Sequence, residues 1–306
     1  MLLLQRIATK HALRLLAGLL FISSGMYAQN PFEDAIKQLS SDNVRGYLQP
    51  FINGVGANLN SGMYSGAEIG DMGFHLRLTA VGMGTLIGDA EKVYSAVPPQ
   101  PFPQTPVQTA TVFGDLGTVV DGPGGTKYYF QNGQVRTSII PLAVPQLSIG
   151  TFYGTQAIIR YVPIPEIGDF PKVTLFGIGA QHSLNRYLSG LPVDLAAGIF
   201  YQTLTIGDII DTKTFNLNAQ ASKSLALFTL YGGLQYETSS MTLTYTYTGP
   251  PIPGSTPNEQ ISVDFSGENK FRATVGLGLN LVILHLNADI SVGKVTVASA
   301  GIGFGN

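Results

Sequence analysis

The sequence contains no cysteine and few charged residues. The absence of cysteine excludes disulfide bonds, thiolate chemistry and a lipid-modified N-terminal cysteine. Lys, Arg, Asp and Glu make up 12% of the chain, whereas soluble domains average about 25%. No hydrophobic run can cross a membrane as a helix, because the apolar stretch at 15–22 would rise only about 12 Å. These absences exclude a disulfide framework and a helical membrane span.

Residues 1–28 have the composition of a secretory signal peptide. Arg6, Lys10 and Arg14 form a basic n-region, residues 15–22 form an apolar core, and Met26-Tyr27-Ala28 offers a small-residue cleavage site. Cleavage after Ala28 leaves residues 29–306. The leader carries basic residues and no acid, so the mature chain is more acidic than the net charge of −2 of the whole sequence. This balance excludes the basic patch that nucleic-acid binding needs.

The last forty residues alternate between apolar and polar side chains. In 271–281 the odd positions are apolar, and 284–292 and 298–305 keep the same period of two. Successive side chains of a strand point to opposite faces, so each segment is a strand with one apolar and one polar face. Strands of this kind joined by short turns are typical of a transmembrane antiparallel β-barrel.

Similar alternation recurs upstream, from Phe74 onward. The Pro-rich segments 95–106 and 249–258 interrupt it and are predicted to be loops, because proline lacks the N–H that a strand ladder needs. We therefore predict an all-β transmembrane barrel of about 12 strands (range roughly 10–14). The barrel is expected to occupy residues 45–306.

A soluble β-sandwich is the alternative fold, since it also shows alternation. The polar face here consists mostly of Thr, Gly, Asn, Gln and Ser, whereas a water-facing sandwich would carry more Lys and Glu. Aromatic residues also lie toward the strand ends, as in the girdles at the two interfaces of a membrane barrel. These aromatic residues are Tyr161, Tyr201, Tyr236, Tyr247, Phe271 and Phe304. The pattern favours a barrel in lipid.

Two segments precede the strands. Phe32, Ile36 and Leu39 share one helical face, which predicts a short amphipathic helix over 32–41. Within the N-terminal region 29–44, this helix either rests on the periplasmic rim or plugs the pore. The Gly-rich stretch at 54–67 is either a hatch-like segment in the lumen or the first strand and its turn.

Charged and polar residues on the polar faces are candidates for the inner wall of the barrel. They form either a selectivity ring that steers solutes or an internal salt-bridge network that fills a narrow lumen. The sequence supports these two interpretations equally. The predicted lumen-lining residues are His75, Arg77, Arg160, Asp194, Arg272, His285, Asn287 and Asp289.

A catalytic site is not expected. His285, Asn287 and Asp289 share one face of one strand, but such neighbours lie about 7 Å apart, too far for a proton relay. The sequence contains no Gly-x-Ser-x-Gly elbow and no His/Glu cluster with zinc-ligand spacing. We therefore expect no enzymatic activity, no metal site and no cofactor.

The mature chain resembles an uncharacterised family, a domain of unknown function, of Gram-negative outer-membrane barrels. The resemblance lies in Tyr47-Leu-Gln-Pro50 with the stretch Asn58–Gly66, in Gly73-Phe74, and in Leu286–Asp289 with Ala298–Phe304. The Gly-rich stretch is also loosely similar to the N-terminal hatch of fatty-acid-transporter barrels, which have a fourteen-stranded wall. The family resemblance implies the outer membrane of a Gram-negative bacterium as the location and its lipid as a partner.

The C-terminal strand and the loops suggest further partners. A final strand with Phe304 near its end resembles the signal that the barrel-assembly machinery recognises. We expect the barrel to let small or hydrophobic solutes pass passively. The alternative is a structural or surface-interaction barrel that acts through its Pro-rich loops without transport.

Overall fold

The computed structural model describes residues 41–168, 170–188, 190–246 and 260–305. They contain one α-helix, α1 (Ser41–Leu59), and fifteen strands. The helix predicted over 32–41 lies, apart from its last residue, outside the described residues. No helix within these ranges is long and apolar enough to span a membrane. The strands are β1 (Met72–Leu86), β2 (Val93–Ala96), β3 (Val107–Ala110), β4 (Val119–Asp121), β5 (Lys127–Tyr129), β6 (Ile139–Phe152), β7 (Thr155–Ile164), β8 (Val173–Ser183), β9 (Asp194–Ile206), β10 (Ile210–Leu225), β11 (Phe228–Thr246), β12 (Gln260–Ser266), β13 (Phe271–Leu281), β14 (Leu284–Val292) and β15 (Thr296–Gly305).

Ten of these strands close into an antiparallel barrel. The ring runs β1-β6-β7-β8-β9-β10-β11-β13-β14-β15, and β15 pairs back onto β1. The extra strand β12 pairs with the far part of β11. The predicted all-β barrel is confirmed, with a strand number at the lower limit of the expected range. The short hairpins β2–β3 and β4–β5 lie between β1 and β6 outside the ring.

The two ends of the barrel differ. At one end, which we call the turn end, β6–β7, β10–β11 and β13–β14 are joined by two-residue turns and β8–β9 by residues 184–193. The opposite end, the loop end, carries residues 87–138 with both short hairpins, and we call these residues the insertion. The Pro-rich segment 95–106 lies there and mainly connects β2 to β3. The Pro-rich segment 249–258 lies outside the described residues.

The outer surface of the ring carries an apolar belt. One edge of the belt is an aromatic row across β7 to β13, formed by Tyr161, Phe176, Tyr201, Tyr236 and Phe271, all exposed; Tyr247 lies outside the described residues. The other edge reaches the turn end. Strand β13 runs from one edge to the other in 11 residues, about 26 Å along the barrel axis at about 3.4 Å per residue and a tilt of about 40°. The belt therefore matches the ~25 Å apolar band of a membrane barrel.

Beyond the aromatic row, toward the loop end, the two faces of the wall exchange character. Met241 and Leu243 of β11 point inward and are buried, whereas Thr242 and Thr244 point outward. The adjacent β12 follows the same rule, with Phe265 buried inside and Asp264 exposed. This part of the wall lies above the belt, where the outer face meets water and the inner face packs on α1. Because the inner face is apolar in this part of the wall, β8 carries apolar residues on both faces and its alternation is weak.

Residues 41–71 lie inside the barrel, and we call them the lumen segment. The barrel is predicted to begin at residue 45, and the first strand of its wall begins at Met72. The first half of α1 packs into an apolar cluster with the wall and the insertion: Val44, Tyr47, Leu48, Ile52, Ile87, Val112, Phe113, Met241, Leu243 and Phe265. The second half packs through Ala57 and Leu59 against inward apolar residues of β1, β6–β9 and β15, including Met83, Val144 and Leu175. The interior at the loop end is therefore a closed apolar core.

A polar collar around the lumen segment

The helix α1 ends at Leu59, well inside the barrel, where its last carbonyl groups need hydrogen-bond donors. Arg160 of β7 supplies several of them. Its Nη2 atom donates to the carbonyl oxygens of Ser61 at 2.8 Å and Gly62 at 2.9 Å, and its Nη1 atom to that of Leu59 at 3.4 Å. The guanidinium also lies over the ring of Phe200, 5.4 Å from the centroid. A cation here complements the negative end of the helix dipole, although Arg160 is 0% exposed.

Arg272 of β13 approaches the same helix end from the opposite wall, five strands around the ring from β7. Its Nη2 atom donates to the carbonyl oxygen of Ala57 at 3.1 Å and to Oε1 of Glu237 at 2.8 Å, and its Nη1 atom donates to the hydroxyl of Ser61. Glu237 also accepts hydrogen bonds from Gln235 and Asn269. Both members of this ion pair are fully buried, with side-chain exposures of 0% and 1%.

Four amide side chains complete the contacts. They come from β6, β9, β10 and β11 and donate to the carbonyl oxygens of Met63, Leu59 and Asn60, the last accepting from two of them, at 3.0 to 3.3 Å. Together with the two arginines they form a ring of buried side chains that we call the polar collar: Gln146, Arg160, Gln202, Asn216, Gln235 and Arg272. The collar holds the end of α1 at the centre of the barrel and closes the lumen at that level.

Glycine allows part of this close approach. Gly56 of α1 lies so near β11 that a Cβ atom there would be 2.4 Å from the Ser239 hydroxyl. Gly62, just after the helix, has a φ of 65°, which L residues other than glycine rarely adopt. The Gly-rich stretch at 54–67 therefore serves the passage of the chain through the lumen.

The predicted lumen-lining residues occupy three levels. Arg160 and Arg272 belong to the collar. His75, Arg77, His285 and Asn287 face inward between the collar and the turn end and are half-buried, and we call them the vestibule. Gly276 and Gly301, on the same side of the wall, make space for Tyr231 and Asn287, because Cβ atoms there would lie 2.3 Å and 2.4 Å from those side chains. The four vestibule residues are partly exposed, so water reaches them.

Asp289 and Asp194 lie apart from the arginines of the collar. Oδ2 of Asp289 accepts a hydrogen bond from the Tyr231 hydroxyl at 2.9 Å, and Tyr231 packs edge-on against Tyr64 of the lumen segment. Asp194 lies at the turn end beside Asn185, at 3.4 Å. The charged candidates thus do not meet in one ring.

Glu237, the residue that pairs with Arg272, is not among the predicted lumen-lining residues. Glu237 has the same strand parity as Gln235, so continuing the alternation of β11 by two positions would have placed it on the inner wall. Alternation places Gln202, Asn216 and Gln235 on polar faces but does not distinguish them from other polar residues of the wall. In the part of the chain that the structure describes, no three His, Cys, Asp or Glu side chains lie close enough to hold a metal ion.

These features together define a class of protein. A closed antiparallel barrel leaves no unpaired edge, its outer belt has the height of a bilayer core, and its polar groups face inward, as in outer-membrane β-barrels. The chain belongs to a family of unknown function, DUF6588, whose profile matches residues 8–306. The likeness to fatty-acid transporters is not supported, because the wall has ten strands where that class has fourteen.

Comparisons with other proteins add little beyond this. No curated protein matches the chain. Among solved structures, a loop-deletion mutant of OmpT, an outer membrane protein of Vibrio cholerae, is 9% identical, with 76% of this chain and 98% of that chain covered and a TM-score of 0.27. The outer membrane protein OpdK of Pseudomonas aeruginosa is 8% identical, with coverages of 76% and 99% and a TM-score of 0.23. Likeness at this level carries no argument about function.

Proposed function

We propose that this protein is a plugged channel of the outer membrane, closed in the conformation described here, that passes small solutes when the lumen segment moves. The observation that carries the proposal is that residues 41–71 contribute no strand to the ring. Moving them would break none of the ten strand pairings that close the barrel. At the collar the segment is held by hydrogen bonds, which water can replace, whereas α1 also packs into the apolar core of the loop end.

The proposed orientation follows from the two ends. Membrane barrels have short periplasmic turns and longer extracellular loops, so the vestibule would open to the periplasm and residues 87–138 would face outward. Outer-membrane lipid would surround the apolar belt, and the barrel-assembly machinery would bind β15, which ends near Phe304. The proposed role involves no catalysis and no cofactor. A hydrophobic solute remains an alternative cargo, because apolar side chains line the loop-end core.

The first prediction is that cross-linking the lumen segment to the wall stops conduction. A Cβ atom on Gly66 would lie 3.9 Å from Cβ of Ser222, close to the ~3.8 Å of a disulfide. The chain has no other cysteine, so the double variant Gly66→Cys/Ser222→Cys forms one defined bond. In planar bilayers we expect the reduced variant to conduct like the wild type, the oxidised variant to stay closed, and reductant to restore conduction.

The matched control is Thr244→Cys/Ser262→Cys, whose native hydroxyl oxygens lie 2.9 Å apart across β11 and β12 outside the lumen. Its oxidation should leave conduction unchanged. Equal conduction of the oxidised and reduced Gly66/Ser222 variant would contradict a moving lumen segment. A wild-type barrel that never conducts, although folded, would contradict the channel itself.

A surface-interaction barrel is the second candidate function, and the folded insertion at the loop end favours it. Tyr47 of α1 donates a hydrogen bond to the carbonyl oxygen of Asn132 at 2.8 Å, and Asn43 donates to that of Val97 at 3.0 Å. The insertion thus forms a cap fixed to α1, with the Pro-rich segment 95–106 on its surface. In this case replacing 98–105 with a Gly-Ser linker would abolish binding of a partner while the barrel, with its lumen closed, stays intact.

A further inference from the structure

The tips of the short turns at the turn end are apolar. Tyr153, Ala226 and Val282 each begin a two-residue turn with φ values of 49°, 54° and 48°. Asn, Asp or Gly normally occupies such positions, because a Cβ atom is strained there and a β-branched residue most of all. Nevertheless Val282 is 92% exposed. The turns therefore combine backbone strain with the exposure of apolar side chains.

Exposed apolar residues are found around the whole circumference of the turn end. All four connections at this end contribute to an exposed set that we call the apolar rim: Phe152, Tyr153, Leu188, Leu227, Val282 and Ile283. Met72 of β1, opposite Phe152, and Phe304 of β15, opposite Leu284, are exposed as well. The rim therefore includes residues from all sides of the barrel and is continuous with the apolar belt. A protein-binding surface would more commonly be an apolar patch on one side of the barrel.

Charged residues also lie at this end of the barrel. Asp71, at the end of the lumen segment, pairs with Arg186 at 2.9 Å, and the Arg186 guanidinium lies over the ring of Tyr153, 5.0 Å from its centroid. Glu68 of the same segment accepts a hydrogen bond from Ser224 at 2.9 Å. Lys223 points outward, and its ammonium group donates a hydrogen bond to the carbonyl oxygen of Pro192 at the turn end. Such a side chain can run along an apolar surface with its charged head at the interface.

We propose that the apolar rim is a lipid-binding surface, embedded in the boundary between the headgroups and the acyl chains of the membrane leaflet at the turn end. The height of the belt supports this position. The aromatic row and the turn-end edge of β13 are about 26 Å apart, about the ~25 Å apolar band of a membrane barrel, so little polar surface separates the turns from the acyl chains. The contrast with the loop end, where the wall continues as a water-facing extension, indicates that the barrel sits asymmetrically in the bilayer.

Single tryptophan reporters test this inference, because the chain contains no native tryptophan. Ile283→Trp and Leu227→Trp place a reporter on two different turns, and neither position has a positive φ. Leu116→Trp is the matched control, since Leu116 is an exposed leucine of the insertion at the loop end. Each variant is refolded into phosphatidylcholine vesicles with and without lipid carrying a doxyl group near the headgroup, and folding is verified by heat-modifiable gel mobility.

We expect the two rim reporters to show blue-shifted emission and to lose most of it to doxyl lipid but little to aqueous iodide. The control should show the reverse. Rim reporters that iodide quenches and doxyl lipid does not would overturn the proposal, because the turns would then lie in water. Blue-shifted emission that neither agent quenches would overturn it as well, because it would indicate contact with a second copy of the chain. Neither result depends on whether the barrel conducts.

Discussion

Replacing Arg272 with methionine is expected to lower the free energy of unfolding by about 3–5 kcal/mol, because the change leaves a buried carboxylate without its counter-ion. The loss concerns Glu237, whose side chain is 1% exposed and lies 2.8 Å from the guanidinium. The carbonyl of Ala57 and the hydroxyl of Ser61 lose a donor at the same time. Urea titration of the refolded protein in lipid vesicles, followed by gel mobility, measures the effect.

Two further variants make this result specific. Lys213→Met removes an exposed ion pair with Asp211, 3.4 Å apart on the outer face, and should cost less than about 1 kcal/mol. The double variant Glu237→Gln/Arg272→Met removes both charges and should recover much of the lost stability. If Arg272→Met costs no more than Lys213→Met, the ion pair does not hold the collar together.

The second large effect is expected for Leu277→Arg, a loss of about 2–4 kcal/mol for a charge near the bilayer midplane. Leu277 is 52% exposed on the outer face of β13, between Leu230 and Ala288 of the neighbouring strands. Thr244→Arg is the control, because Thr244 also points outward but lies above the aromatic row, in water. The fraction of heat-modifiable barrel formed in vesicles should drop for Leu277→Arg alone. An equal drop for both variants would mean that the belt is misplaced.

The strands near the C-terminus could be predicted from the sequence almost to the residue. The segments 271–281 and 284–292 have the same bounds as β13 and β14. In such a strand the polarity of each residue indicates its face, because outward side chains meet lipid and inward side chains do not. The inward positions of Arg77, Arg160 and Asp289 follow from the same parity.

At the loop end of the wall, alternation did not reveal which face of a strand is the outer one. Met241 and Leu243 have the apolar character of lipid-facing residues, yet they are buried inside the barrel with Phe265. Their environment depends on their height above the membrane and on α1, neither of which is a local property of β11. The apolar character of these residues is satisfied equally by lipid and by a packed core.

The lumen segment could not be predicted either, for a related reason. The Gly-rich stretch at 54–67 supports both a hatch and a first strand, because glycine permits many backbone conformations. The end of α1 is fixed by side chains such as Arg160 and Gln202, which are about a hundred residues or more away in sequence. No local pattern reports such partners.

The position of α1 within the barrel also governs the order of events during folding. Arg45 of α1 donates a hydrogen bond to the carbonyl oxygen of Asp264, 219 residues later in the chain. The helix is therefore synthesised early and covered late, since the strands that enclose it extend to the C-terminus. Until those strands form, Val44, Leu48 and Ile52 lack part of the apolar packing that buries them. Folding that depends on such non-local contacts is slow and leaves apolar surface exposed, so we expect the chain to be most prone to aggregation before its last strand pairs.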